Sequence, residues 1–216
     1  MGRVERVRVR EAWAVGAALL GLATASAALA ACPTGLPPGV FCGSKDISQA
    51  PAGTYALDPN HAAVIARVSH LGYSYSLFRF DKVEGALVWN PAAPSRSSLS
   101  ASVETASVAT NVAGFAKDIA GPNFLKSAAY PKATFVSTAF RRTDATHGKV
   151  EGQFTLMGKT RPVTFEVELI GAGKGFGSPR MGVEARARIN PGDYGLPAVM
   201  NAPIDLVIDA EFEQKG

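Results

Sequence analysis

Three histidines, His61, His70 and His147, are the residues of this chain best suited to proton transfer or metal ligation. Three imidazoles on one sheet could hold a metal ion. Their spacing shows no convergence, so each is expected at a turn or strand end, held by a local hydrogen bond. The glycine run from Gly171 to Gly177, with Lys174 inside it, has the look of a phosphate loop. A phosphate loop needs a helix directly after it. Strand-like residues follow instead, which makes the run a hairpin loop. Asp118 beside Lys117 reads as a solvated face. The chain contains no G-x-S-x-G, H-E-x-x-H, C-x-x-C or P-loop motif. No catalytic residue, metal or cofactor is therefore expected, and the chain reads as a non-enzyme.

Two cysteines, Cys32 and Cys42, exclude a disulfide-rich scaffold and a four-cysteine zinc site. They sit just after an address-like segment. Residues 1–11 carry Arg3, Arg6, Arg8 and Arg10, and residues 12–31 read AWAVGAALLGLATASAALAA. A basic start, an apolar stretch and a small-residue end make a secretory signal. The stretch is long enough to span a bilayer. It is dominated by Ala and Gly, however, and no basic stop-transfer cluster follows Ala31. The expected location is periplasmic or secreted. Cleavage fits before Ala31, after Ala28-Leu29-Ala30. Leu29-Ala30-Ala31-Cys32 also resembles a lipobox, which would anchor the protein to the membrane through a lipidated Cys32. The competing use of Cys32 is a disulfide to Cys42 across the loop between them. An even cysteine count in an exported chain favours the disulfide.

The formal charge is +4, from 22 basic and 18 acidic residues. Four arginines and two glutamates lie in residues 1–11, which leaves 18 basic against 16 acidic residues, a net of +2. That remainder gives no basic stripe for nucleic acid. Hydrophobic residues make up 47% of the 216, enough for a real core in one domain.

The elements that would position any site are strands. Residues 32–53 hold Pro33, Pro37, Pro38 and Pro51 with no apolar period, which predicts a linker. From Tyr55 onward the period is two. Alternating runs occupy 64–69, 99–104, 163–169, 183–189 and 206–212. Shorter candidates are 55–57, 77–83, 85–90, 134–141 and 150–157. One face of each run is apolar and the other mostly polar, the pattern of antiparallel strands with one wet side. Residues 112–120 break the pattern with Val112, Phe115, Ala116 and Ile119 at helical spacing, ended by Gly121-Pro122. Eight to ten strands, one short helix and a single domain leave a barrel or a sandwich.

Several stretches together are similar to one family, the YceI-like lipid/polyisoprenoid-binding proteins. They are Tyr55-Ala-Leu-Asp58-Pro-Asn-His61 with Val64, Val68 and His70-Leu-Gly72; 80–85 and Trp89-Asn-Pro91; and 103–110. Further matches are Phe124-Leu-Lys-Ser127, Tyr130-Pro131, Phe135-Val-Ser137-Thr138, the hairpin from Val150 to Pro162, and Asp193-Tyr-Gly195. The resemblance spans residues 54–213. Met157 stands where the family usually has a histidine, and Pro191-Gly192 replaces a basic residue and serine. Any head-group contact made at those positions would be missing here.

The resemblance implies an all-β, lipocalin-like antiparallel barrel of about eight strands over residues 54–216. It also implies a lumen that takes an isoprenoid or other amphiphilic lipid. The inward apolar set, the candidate lumen wall, is Val64, Val68, Leu87, Trp89, Val103, Phe135, Phe154, Leu156, Phe165 and Val167. The alternative is an envelope structural or interaction module whose barrel is filled by its own side chains. The exported protein should begin at Ala31 or Cys32. An intact mass that retains residues 1–30 contradicts a cleaved leader, and acyl mass on Cys32 assigns the lipobox.

Overall fold

The computed structural model describes residues 32–215, so the expected signal segment, residues 1–31, lies outside the described residues. Ten strands dominate. They are β1 (Gly53–His70), β2 (Ser74–Phe80), β3 (Val83–Trp89), β4 (Ser98–Glu104), β5 (Val108–Ala109), β6 (Lys132–Arg142), β7 (His147–Leu156), β8 (Lys159–Gly173), β9 (Arg180–Ile189) and β10 (Ile204–Gln214). Helix α1 (Phe115–Ala120) precedes β6, and the single-turn helix α2 (Pro191–Tyr194) precedes β10.

The strands form one antiparallel sheet that closes when β10 pairs with β1. The ring is β1-β3-β4-β6-β7-β8-β9-β10, an eight-stranded barrel. β2 and β3 lie end to end along the same edge of β1, with Phe80 opposite Val64 and Ala86 opposite Ala56. Asp81 and Lys82 break them apart opposite a wide bulge in β1 between Leu57 and Ala62. Closure removes the sheet edges of the ring strands, which would otherwise expose unpaired N–H and C=O groups. The apolar faces found by alternation then point inward.

Some boundaries differ from the sequence reading. The runs at 55–57 and 64–69 are one strand, because β10 pairs with both sides of the bulge. β2 begins at Ser74 rather than 77, since its ladder to β1 extends to His70↔Ser74. The helix expected over 112–120 starts only at Phe115. Gly114, at φ 80, adopts a left-handed conformation at its start, and Val112 stays exposed. α2 was not expected. Pro191 supplies a preset first helical residue, and Gly195 caps the turn at φ 80.

The segment read as a linker, 32–53, is bound to the barrel over its second half. Phe41 N–H donates to Gly175 O at 2.8 Å, and Ser44 and Ala172 exchange bonds of 2.9 and 2.8 Å. Lys45 pairs with Glu168. Ala50 is fully buried, and its carbonyl accepts from Trp89 Nε1 at 3.2 Å. Tyr55 donates its hydroxyl to Pro51 O at 2.7 Å. Prolines make this segment non-periodic without making it free chain, because its polar backbone finds partners on β8 and β3. Cys32 and Cys42 are both disulfide-bonded, and neither is a free thiol.

The β1 bulge is held by charge. Arg180 Nη1 donates to Asp58 Oδ2 at 2.7 Å and to Glu211 Oε2 at 2.9 Å. Its other terminal nitrogen lies 3.3 Å from Glu213. The Arg180 and Asp58 side chains are only 13% and 12% exposed, so this pairing is shielded from solvent. His61 Nδ1 donates to Asp58 Oδ2 at 2.9 Å. That bond, helped by Arg180 and the Asn60 N–H against the cost of burial, lowers the Asp58 carboxyl from 3.8 to about 2. The same bond raises His61 above 6.5. The signs are opposite. Asp58 contributes stability in full above pH 3.8, and it is lost as pH falls through about 2. His61 contributes below pH 6.5, and its share is lost as pH rises through its raised value. The urea midpoint should therefore fall on acidification through that lower window, and Asp58→Asn should remove part of the acid dependence.

Candidate ligand cavity

The strand registers place one end of the barrel at the β1–β2 and β7–β8 turns, α1 and α2. The other end lies at the β6–β7 and β8–β9 turns and the docked segment. Two apolar clusters fill these ends differently.

At the docked-segment end, Ala50, Tyr55, Leu169, Ala172, Met181 and Phe212 are buried together. Leu87 and Trp89, expected in the lumen wall, belong to this cluster. They do point inward, but the docked segment lies over them, and they border a separate space of about 120 Å³.

At the α1 end lies a larger cavity of about 190 Å³. The other eight expected wall residues line it: Val64, Val68, Val103, Phe135, Phe154, Leu156, Phe165 and Val167. Val64, Val103, Phe154 and Val167 remain only half-buried although the pleat turns them inward. The lumen is therefore not packed to the density of an ordinary core. Phe135 and Phe165 meet edge to face, with centroids 5.0 Å apart and planes at 84°. Such a pair contributes about 0.5–1.5 kcal/mol beyond burial and holds both rings at the wall. Phe135 can lie there because position 152 is glycine. A Cβ on Gly152 would stand 2.4 Å from Phe135 Cζ.

Sequence reasoning missed several wall residues. Ala185, Leu206 and Ile208 line the cavity. They belonged to alternating runs already recognised, so period two was sufficient to find them. Ile119, Phe124, Leu125, Leu196 and Met200 also line it. The last four come from irregular loops, where no period exists to mark an inward face.

The wall is chemically plain. No charged side chain lines it among the described residues. Thr105, at its margin, spends its hydroxyl on Tyr130 O at 2.8 Å. Tyr194 packs edge to face on Phe154 at 5.4 Å. Burial, with the Asp193 carboxylate, pushes the Tyr194 hydroxyl above 10.0, so it stays neutral. Such a wall can desolvate hydrocarbon and offers nothing to move protons or hold charge.

The histidines lie elsewhere. His61, Asp58 and Glu211 bring ligand atoms within 4.8 Å of one another. The Arg180 guanidinium occupies both carboxylates, which makes the group an ion-pair cluster. His147 opens β7 and lies on Asp144 of the β6–β7 turn, 3.0 Å from a carboxylate oxygen, and His70 is exposed at the end of β1. Gly171 and Gly173 belong to β8, and the rest of the glycine run forms the β8–β9 turn with no helix after it.

Comparison with known proteins decides the family. The family model described as the YceI-like domain matches residues 55–212. The chain belongs to the YceI-like family. A UPF0312 protein of Pseudomonas putida is 39% identical over 168 residues, covering 76% of this chain and 88% of that relative. Among solved structures, BcnA of Burkholderia cenocepacia superposes with a TM-score of 0.65 at 20% identity, over 72% of this chain and 98% of BcnA. A polyisoprenoid-binding domain from Saccharophagus degradans, implicated in plant cell wall breakdown, gives 0.56 at 16% identity, over 74% and 98%. At these identities the two structures speak for the fold.

The two departures from the family pattern fall at the cavity end. Met157 is buried in the same apolar cluster as Phe154 and Tyr194, at φ 49 in the β7–β8 turn. Pro191 opens α2. Both residues are apolar and buried. If the lumen has spare volume, Phe165→Trp should cost less than about 1 kcal/mol, and Gly152→Ala should cost about 1–3 kcal/mol by overpacking against Phe135. Urea unfolding of the two variants measures the difference.

Proposed function

We propose that this chain is an exported, non-enzymatic binding or carrier protein that holds the apolar part of an isoprenoid or similar amphiphile in its lumen. The observation that carries this reading is the cavity of about 190 Å³ walled by hydrocarbon inside a closed barrel. An engineered apolar cavity of ~150 Å³ stays dry and binds benzene. The lumen therefore suits a terminal segment of a chain, with any polar head left outside. Each buried CH₂ contributes about 0.8 kcal/mol. A handful of carbons offsets much of the association cost, and no polar contact is required.

Membership of the YceI-like family and the polyisoprenoid-binding structural neighbour support the same ligand class. Residues 1–31, which read as a secretory signal, support a periplasmic or secreted location. Thioether lipidation of Cys32 would need the sulfur that the disulfide uses, so the disulfide-bonded state favours an unanchored carrier.

Native mass spectrometry of protein purified from membranes tests the reading. Wild type should carry a lipid mass. Ala185→Phe, which places a ring inside the lumen, should lose that mass while keeping its melting temperature. Repeated absence of any bound lipid from wild type overturns the carrier in favour of a filled module.

A further inference from the structure

The β1–β2 turn carries an arrangement that neither the fold nor the lumen explains. Leu71 and Gly72 take φ values of 53 and 79, closed by the Tyr73 N–H donating to His70 O at 3.0 Å. Two successive left-handed residues in a turn favour Asn, Asp or Gly. Leucine there is strained, and its side chain gains nothing from the protein, being 79% exposed. Tyr73 beside it is 88% exposed. Tyr75 and Leu77 on the outward face of β2 are exposed as well, with Arg67 lying 4.5 Å over the Tyr75 ring. A non-glycine residue kept in an unfavourable conformation so as to expose an apolar side chain points to an external partner.

The surroundings say which partner. The same end of the barrel bears Arg67, Lys117, Lys126, Lys159 and Arg161, none in a salt bridge among the described residues. Of the carboxylates there, Asp205 is spent on Arg188. Asp118 and Asp193 remain. An apolar tip within a cationic collar complements a bilayer with anionic headgroups: leucine enters the acyl boundary, tyrosine sits at the interface and the cations meet phosphates.

We propose that the Leu71–Tyr73 tip docks this protein on an anionic lipid surface. The Asp205 backbone lies opposite that of Arg67 in the β1–β10 ladder, so the loop ahead of β10 runs beside the tip. That loop carries exposed Val199 and the cavity-lining Leu196 and Met200. Docking therefore presents this side of the lumen to the membrane. It does not depend on what the lumen holds, since a filled barrel would dock by the same tip.

Co-sedimentation of the mature protein with vesicles of phosphatidylglycerol and phosphatidylcholine tests this. Wild type should sediment with them, less so with phosphatidylcholine alone or in high salt. Leu71→Asn/Tyr73→Ser should lower partitioning about ten-fold, equivalent to ~1.4 kcal/mol. Its melting temperature should not fall, because Asn suits the turn. Its bound lipid by native mass spectrometry should match wild type, which separates docking from lumen binding. The proposal is overturned if wild type stays in the supernatant or if the double variant sediments like wild type. It is also overturned if the tip instead drives concentration-dependent dimers, lost in the variant, without vesicle binding.

Discussion

Pairing of β1 with β10 is the contact on which the rest of the molecule depends. Without it the strands would form an open twisted sheet with two long edges and no inside. With it, the apolar faces of eight strands converge on one axis, and their backbone groups are satisfied around the ring. The pairing is not a plain ladder. β1 sets four residues, 58–61, against Glu211 alone where it bulges, and Asp58 and His61 among them meet Arg180 and Glu211 across the seam. The bulge bends β1 where β2 and β3 part opposite it, so the wall curves without losing closure. Shielded ion pairs suit such a place, because their geometry is specific where the regular hydrogen-bond pattern is interrupted.

Closure makes an interior but does not decide how full it is. At one end the segment through Phe41, Ser44 and Ala50 lies across the barrel, and Tyr55, Trp89, Met181 and Phe212 pack beneath it. At the other end the irregular chain between β5 and β6 covers the gap between β2 and β6 with Phe115, Ile119 and Phe124. Loops fill space less regularly than strands, and here they leave room beside the Phe135–Phe165 pair. A barrel of this size stands between a solid core and a ligand cup. Its two ends lie on opposite sides of that line.

A wall without charged side chains favours apolar bulk and shape. The energetic drive is desolvation of hydrocarbon, which is strong and largely indifferent to chemical detail. Met157 and Pro191, at the same end, are apolar and buried as well.

The sequence by itself determined the all-β class, nearly every strand and which side chains face inward. Period two is a local property of the chain, and the pleat converts it directly into facing. Eight of the ten expected wall residues line one cavity for that reason. What only the tertiary structure decided depends on contacts between residues far apart in the chain. Leu87 and Trp89 face inward as alternation requires, but the docking of residues 41–51 assigns them to the packed end. Prolines in that segment concealed its docking, because a non-periodic stretch reads as a linker whether or not it finds partners. Leu196, Met200 and Phe124 reach the cavity from loops, where direction is set by the path of the backbone. The unequal filling of the barrel follows from how loops and strands meet in space, and local residue order carries no record of that volume.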